Sequence, residues 1–258
     1  MPVTRFTLMG VGAMRSPAFA PAGLLVEHGH YRVMFDGGPG AEPAGRLDAW
    51  LVTDARAELI REIRALAWRH RLEPEVDDYV RDGLLRINPE PVVHTSHPTY
   101  GYRIALPGLV AAWAPEFLEF PSWAEGVDLM FADGSGWSRP IRFVGGAGGH
   151  ACVLDVAREA EARGVERLVF AHIGRPTIRA AIAGERPPFG DLGHDGQTFR
   201  VLPASRVSPP ARSSRVVPQR FAPDPRLGSH RRGAAPRSPW TEHRAPSAGR
   251  TDRSPGRR

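Results

Sequence analysis

Along the first hundred residues, short apolar runs alternate with Gly- and Pro-rich breaks. Residues 6–9 read as a first strand, and 23–27 with 31–35 read as a hairpin turning at His28-Gly29-His30. Asp36-Gly37-Gly38 stops the second of these with residues suited to tight backbone. Residues 48–53 form another buried-strand candidate. A helix is predicted over 56–71, where Leu59, Ile60, Ile63, Leu66 and Ala67 fall on one face.

Further short strands are predicted around Leu85, Val92 and Tyr102, then buried strands at 109–113 and 128–131. Residues 151–163 read as an amphipathic helix ended by Gly164, 165–171 as a strand, and 176–183 as a short helix with Pro at its first turn. Hairpins followed by alternating strands and helices suit an α/β or α+β layered domain.

The pattern fails beyond about residue 203. Residues 204–258 carry nine Pro, 13 Arg and many Ser with almost no apolar periodicity, so disorder is expected there. This split changes the meaning of the charge. The whole chain is +6 with a pI near 10.5. The tail's 13 Arg against three acids give it +10, which leaves residues 1–203 at −4. All 34 basic residues are Arg, a compositional habit that removes force from any argument based on Arg enrichment. The tail's only aromatics, Phe221 and Trp240, are too few for a base-stacking platform.

Specific nucleic-acid binding is therefore not expected, and a small-molecule substrate or ligand is. One cysteine, Cys152, excludes an internal disulfide framework, and no apolar run approaches a membrane span. The start lacks the apolar core of a signal peptide. A cytoplasmic protein is expected.

Candidate chemistry gathers at strand ends. His172 leaves an apolar strand just before a helix, and His150 follows Gly145-Gly146-Ala147-Gly148-Gly149. Glu116 follows Trp113-Ala114-Pro115, while His94 and His97 share one loop. Each has a structural alternative: a hydrogen-bonded strand-end histidine, a helix-entry histidine, a surface carboxylate. Asp36 either orients a ligand or holds its own turn. Cys152 sits at a helix start that lowers a thiol pKa, or is a small buried hydrophobe.

In this order the segments resemble the metallo-β-lactamase superfamily, in particular its tRNA 3′-end processing nucleases and phosphonate-pathway cyclic phosphodiesterases. The resemblance rests on Phe35-Asp36-Gly37-Gly38, Asp48 to Thr53, Gly101 to Ile104, Trp113 to Glu116, Gly149-His150 and Arg167 to His172. It implies an αββα sandwich over 1–203 and a hydrolase of a phosphodiester or small ester-like bond.

The family's metal motif, H-x-H-x-D-H, follows the strand ending in Thr53. Here it reads Asp54-Ala55-Arg56-Ala57-Glu58-Leu59, so three histidines are replaced and Glu58 stands for the aspartate. The resemblance makes His97 or His94 the third-motif histidine, Glu116 the bridging carboxylate, His172 the last ligand and His150 the proton donor. A mononuclear site from His97 or His94, Glu116, His172 and Asp54 then takes one Zn, Mn or Fe ion.

The competing expectation is a catalytically inactive protein on the same scaffold, with no metal, that binds a small anionic ligand or a protein partner. In it Arg56 fills the gap by pairing with Glu58, Glu116 or Asp54, and Arg56, His150, His172 and Arg175 form an anion-binding pocket. Only 35 residues separate Glu58 from His94, leaving no room for a tRNA-gripping arm.

Overall fold

A computed structural model of the chain describes residues 3–81, 83–145, 147–201 and, by backbone, 216–218. Three antiparallel neighbours open the fold: β1 (Thr4–Gly10), β2 (Gly23–His28) and β3 (Tyr31–Asp36). The β2–β3 turn is two residues long because Gly29 takes a φ of +61°. Strand β4 (Ala49–Leu51) then joins β3 in parallel.

Alternation sends Phe6, Leu8, Leu24, Val26, Val33 and Phe35 to one face of this sheet, where they are buried in the central core. Leu25, Met34 and Trp50 face the other way, against Ile63, Leu66 and Ala67 of α1 (Ile60–Arg69).

The helix begins four residues later than its periodicity predicts. Asp54 Oδ1 takes the Arg56 N–H at 2.7 Å, and the Asp54 and Ala57 carbonyls take the N–H groups of Ala57 and Ile60. A short polar side chain bonded to its own backbone offers the chain a turn in place of a helix.

The second sheet runs β5 (Tyr79–Arg81), β6 (Leu85–Val92), β7 (Thr99–Leu106), β8 (Leu109–Ala114), then β9 (Leu129–Asp133), which lies parallel to β8. Where two strands were expected at Leu85 and Val92, one strand runs through Pro89 and Pro91. Beyond Ile87 it has no partner on the β5 side, so prolines cost no ladder bond there.

The two-residue strands β10 (Ile141–Arg142) and β11 (Gly149–His150) form a small hairpin. Helix α2 (Val153–Ala162) carries the chain back to β12 (Leu168–Ala171), parallel to β9. Val153, Val156, Ala157 and Ala160 of α2 bury against the outer face of the second sheet.

Helix α3 (Arg175–Ile182), β13 (Asp191–Leu192) and β14 (Thr198–Val201) complete the domain. Two sheets packed through one core, with α1 outside one and α2 outside the other, make the expected αββα sandwich.

Of the tail, β15 (Val216–Pro218) is described, paired antiparallel with β14. The expected disorder otherwise lies outside the described residues. Among those residues no helix is long and apolar enough to cross a membrane.

Candidate functional site

Strands β3 and β4 are parallel in one sheet, and β8, β9 and β12 are parallel in the other. Residues just past their C-terminal ends therefore collect at one edge of the sandwich, where layered α/β folds open a crevice. Asp36 ends β3, Asp54 follows β4, Glu116 follows β8, Asp133 ends β9 and His172 follows β12. All the site residues named from the sequence except Cys152 line one cleft of about 680 Å³ at this edge: Asp36, Asp54, Arg56, Glu58, His94, His97, Glu116, His150, His172 and Arg175.

Glu116 is the hub of the deeper half. Its Oε1 lies 2.7 Å from His172 Nε2 and its Oε2 lies 3.2 Å from His94 Nε2. Burial works against the charge on Glu116, but His172 and His94 outweigh it and hold the carboxyl well below its usual range. His94 is oriented from behind, since its Nδ1 lies 2.9 Å from the Gly149 carbonyl.

That contact depends on Gly148, whose φ of +91° and close approach to the His94 carbonyl leave no room for a Cβ. His97 faces elsewhere in the cleft. Its Nε2 lies 3.0 and 2.9 Å from the two oxygens of Asp54, so both histidines of the loop reach the site with different partners.

His172 adopts a φ of +50°, as Asp36 does at +46°. Non-glycine residues in this region are uncommon and concentrate at functional sites. The Ser135 hydroxyl lies 3.1 Å from the His172 carbonyl and 2.9 Å from His172 Nδ1, and holds the ring in place. With Nε2 2.7 Å from Glu116, the surroundings favour the imidazolium. Burial disfavours that charge, yet Glu116 and Asp133 raise the pKa to about 10.

Behind His172, Asp133 is fully buried. Its Oδ2 accepts from His150 Nδ1 at 2.8 Å and from the Phe117 N–H, and its Oδ1 accepts from the Ser135 N–H. The pairing with His150 and His172 holds Asp133 far below the usual carboxylate range against the cost of burial. His150 stacks on His172 with centroids 5.1 Å apart, and Phe143 lies edge-on to both His94 and His150.

Neither Asp133 nor Ser135 was singled out from the sequence. An aspartate ending an apolar strand before glycine, the pattern of Asp36-Gly37, recurs as Asp133-Gly134 and was the available signal.

The pairing expected for Arg56 does not form. Its guanidinium is exposed, and among the described residues it makes no ion pair; only its backbone N–H reaches Asp54. Arg175 is likewise exposed. Asp36 holds three elements together: Oδ1 accepts from the Thr53 N–H and hydroxyl at 2.8 and 3.0 Å, and Oδ2 accepts from Trp113 Nε1. Cys152 is buried, donates to Asp155 and has its pKa pushed up to about 11 by burial, so it is not an activated thiol.

Asp133, His150 and His172 place three ligand atoms within 4.8 Å of one another, a group able to hold a metal ion. The donor chemistry separates their parts. Asp133 is closed in by backbone N–H groups and lies off the cleft wall, whereas Glu116, with a side chain 25% exposed, faces the cleft with two imidazole nitrogens on its oxygens. The metal motif of the resembled family is incomplete here, because Arg56 and Leu59 offer no ligand atom. His94, Glu116 and His172 carry the donor types that a single ion takes, and the two Nε2 atoms would give up their protons to it.

In overall structure the chain is similar to the metallo-β-lactamase fold protein YhfI from Bacillus subtilis, with a TM-score of 0.60 and 17% identity over 78% of this chain and 100% of that one. A diphosphatase of the PhnP family gives 0.58 and 16% over 77% and 97%, and the short form of human tRNase Z gives 0.55 and 13% over 75% and 98%. No protein-family model matches the chain, and neither does any curated protein.

Proposed function

We propose, from the metallo-β-lactamase fold that this chain has, that it is a metal-dependent hydrolase of a phosphodiester or small ester-like bond, with a metal centre reduced to one divalent ion. The observation that supports this is Glu116 with the Nε2 atoms of His94 and His172 on its two oxygens, beside a His150 anchored by Asp133. His94, Glu116 and His172 would hold the ion, whose identity among Zn, Mn and Fe the donor set leaves open. Such an ion supplies Lewis-acid polarisation of the scissile group.

The chain's own residues do the rest. Asp133 fixes His150 through Nδ1–H, which leaves Nε2 to hand a proton to the leaving-group oxygen. Ser135 holds the His172 ring, and Phe143 shields one edge of His94 and His150 from water. The guanidinium groups of Arg56 and Arg175 attract an anionic substrate to the cleft.

Purified full-length protein is assayed for bound metal and for hydrolysis of bis(4-nitrophenyl) phosphate with and without added Mn²⁺ or Zn²⁺. Turnover that requires one equivalent of ion supports the reading; no bound ion and no turnover with either metal overturns it. The competing reading is a non-catalytic protein that binds a small anionic ligand. It is favoured by Arg56 and Arg175, which make no ion pair among the described residues, and it predicts saturable binding of phosphate esters without turnover.

A further inference from the structure

We propose that Asp54 and His97 form a second acid–base dyad in which His97 is the general base that deprotonates the attacking water. This inference rests on the hydrolase reading and adds a catalytic residue to it. Asp54 occupies the first histidine position of the metal motif in the sequence resemblance, and it is committed to an imidazole. His97 Nε2 lies within 3.0 Å of both its oxygens. The Asp54 side chain is 7% exposed and that of His97 is 24% exposed, and both line the cleft. This is the arrangement of a buried orienting carboxylate with a solvent-reaching base.

The dyad is held from several directions. Asp54 Oδ1 also takes the Arg56 N–H at 2.7 Å, which fixes its rotamer. The Tyr100 N–H donates to the Thr53 carbonyl at 2.9 Å and clamps the loop bearing His97 to the end of β4. The Thr95 hydroxyl donates to the His97 carbonyl at 2.9 Å. A carboxylate only accepts hydrogen bonds, so Nε2 carries the hydrogen, and in the neutral ring Nδ1 carries the lone pair. His97 Nδ1 has no hydrogen bond among the described residues.

In the proposed step a water O–H bond breaks, its proton passes to His97 Nδ1, and the water oxygen forms the new bond to phosphorus. The bond from phosphorus to the leaving oxygen breaks, and that oxygen takes a proton from His150 Nε2. Water is consumed, one phosphomonoester and one alcohol result, and return of the proton from His97 to solvent and from solvent to His150 closes the cycle.

Acid and base separate by leaving group. Loss of an acid matters least when the leaving group departs unaided, whereas loss of a base is felt with every leaving group. The test compares bis(4-nitrophenyl) phosphate with diphenyl phosphate in the metal-supplemented full-length protein. Expected for H97Q is a fall in kcat of about 100-fold on both substrates with KM changed less than about 2-fold.

D54N falls comparably, through loss of the ring orientation. H150Q falls on diphenyl phosphate and much less on the nitrophenyl ester. Added imidazole restores part of the activity of H97G, which a purely structural role would not permit. Ring ¹⁵N shifts read the tautomer independently of turnover, with Nε2 protonated and Nδ1 bare.

Active wild-type protein whose H97Q and D54N variants keep full kcat overturns this inference and leaves the hydrolase reading standing. The opposite tautomer overturns it in protein of any activity. Wild-type protein inactive on both esters overturns the two readings together.

Discussion

Asp36 Oδ2 accepts a 2.7 Å hydrogen bond from Trp113 Nε1, although Asp36 ends a strand of one sheet and Trp113 lies in the other. The same carboxylate takes two bonds from Thr53, so one half-buried side chain ties the two sheets together at the edge where the cleft opens. D36A strands the Trp113 Nε1–H and the Thr53 donors in a largely buried setting. A loss of about 2–4 kcal/mol in unfolding free energy is expected, at about 1–3 kcal/mol per unsatisfied buried group with partial relaxation. Urea denaturation checks it.

Burial pushes the Asp36 carboxyl up to about 6, and the bonds from Thr53 and Trp113 offset only part of that cost. Between the ordinary carboxylate range near 4 and about 6, the native state holds a proton that the unfolded state has released. Stability from this group is therefore present below pH 4 and falls as pH rises to about 6. The difference in unfolding free energy between the wild type and D36N should carry this slope and flatten above pH 7. A difference that is level from pH 4 to 7 contradicts it.

E116Q removes the one carboxylate that both His94 and His172 face. Equilibrium dialysis should find at most one Zn²⁺ or Mn²⁺ per wild-type chain and none retained by the variant. The metal-free variant should also lose about 1.5–3 kcal/mol of stability, the contribution of a hydrogen bond to a charged group. Two tightly held ions in the wild type would refute the reduced centre.

G148A places a Cβ against the His94 carbonyl at a backbone φ of +91°. The strain alone costs about 1–3 kcal/mol. Because Gly149 N–H and His94 C=O are bonded at 2.8 Å, relief of the clash must move His94. Thermal melting should fall and metal affinity with it, while G145A, which meets nothing within 4 Å, should change affinity little.

Much of the architecture was legible because apolar alternation and strand-ending Asp-Gly pairs are local signals. Phe35-Asp36-Gly37 marked the end of β3 on its own, and the amphipathic run over 151–163 ended by Gly164 marked α2. The site was legible as a list of residues but not as a set of partners. His94 and His97 are three positions apart, and only the fold assigns one to Glu116 and the other to Asp54. Arg56 invited a salt bridge, but the Asx turn at Asp54 spends the carboxylate on the backbone and on His97 and leaves the guanidinium outside. Asp133 went unnoticed because its role lies in two backbone N–H groups and a histidine 17 positions away.

One wall of the cleft is the loop between β1 and β2, which contributes Met14 and Arg15. Asp195, just before β14, accepts the Val11 N–H on one oxygen and the Ala20 N–H on the other, both at 2.9 Å. The carboxylate thus works as a clasp at the neck of the loop, on a part of the chain that supplies no chemistry. Gly12 and Ala13 at the base of the loop are bonded to Ala20 and to Ile173 beside His172, so it is residues 14–18 that can vary with least effect on the sheets and the histidines. The reach of the cleft toward its ligand is an interchangeable part, and Asp195 is its fastening.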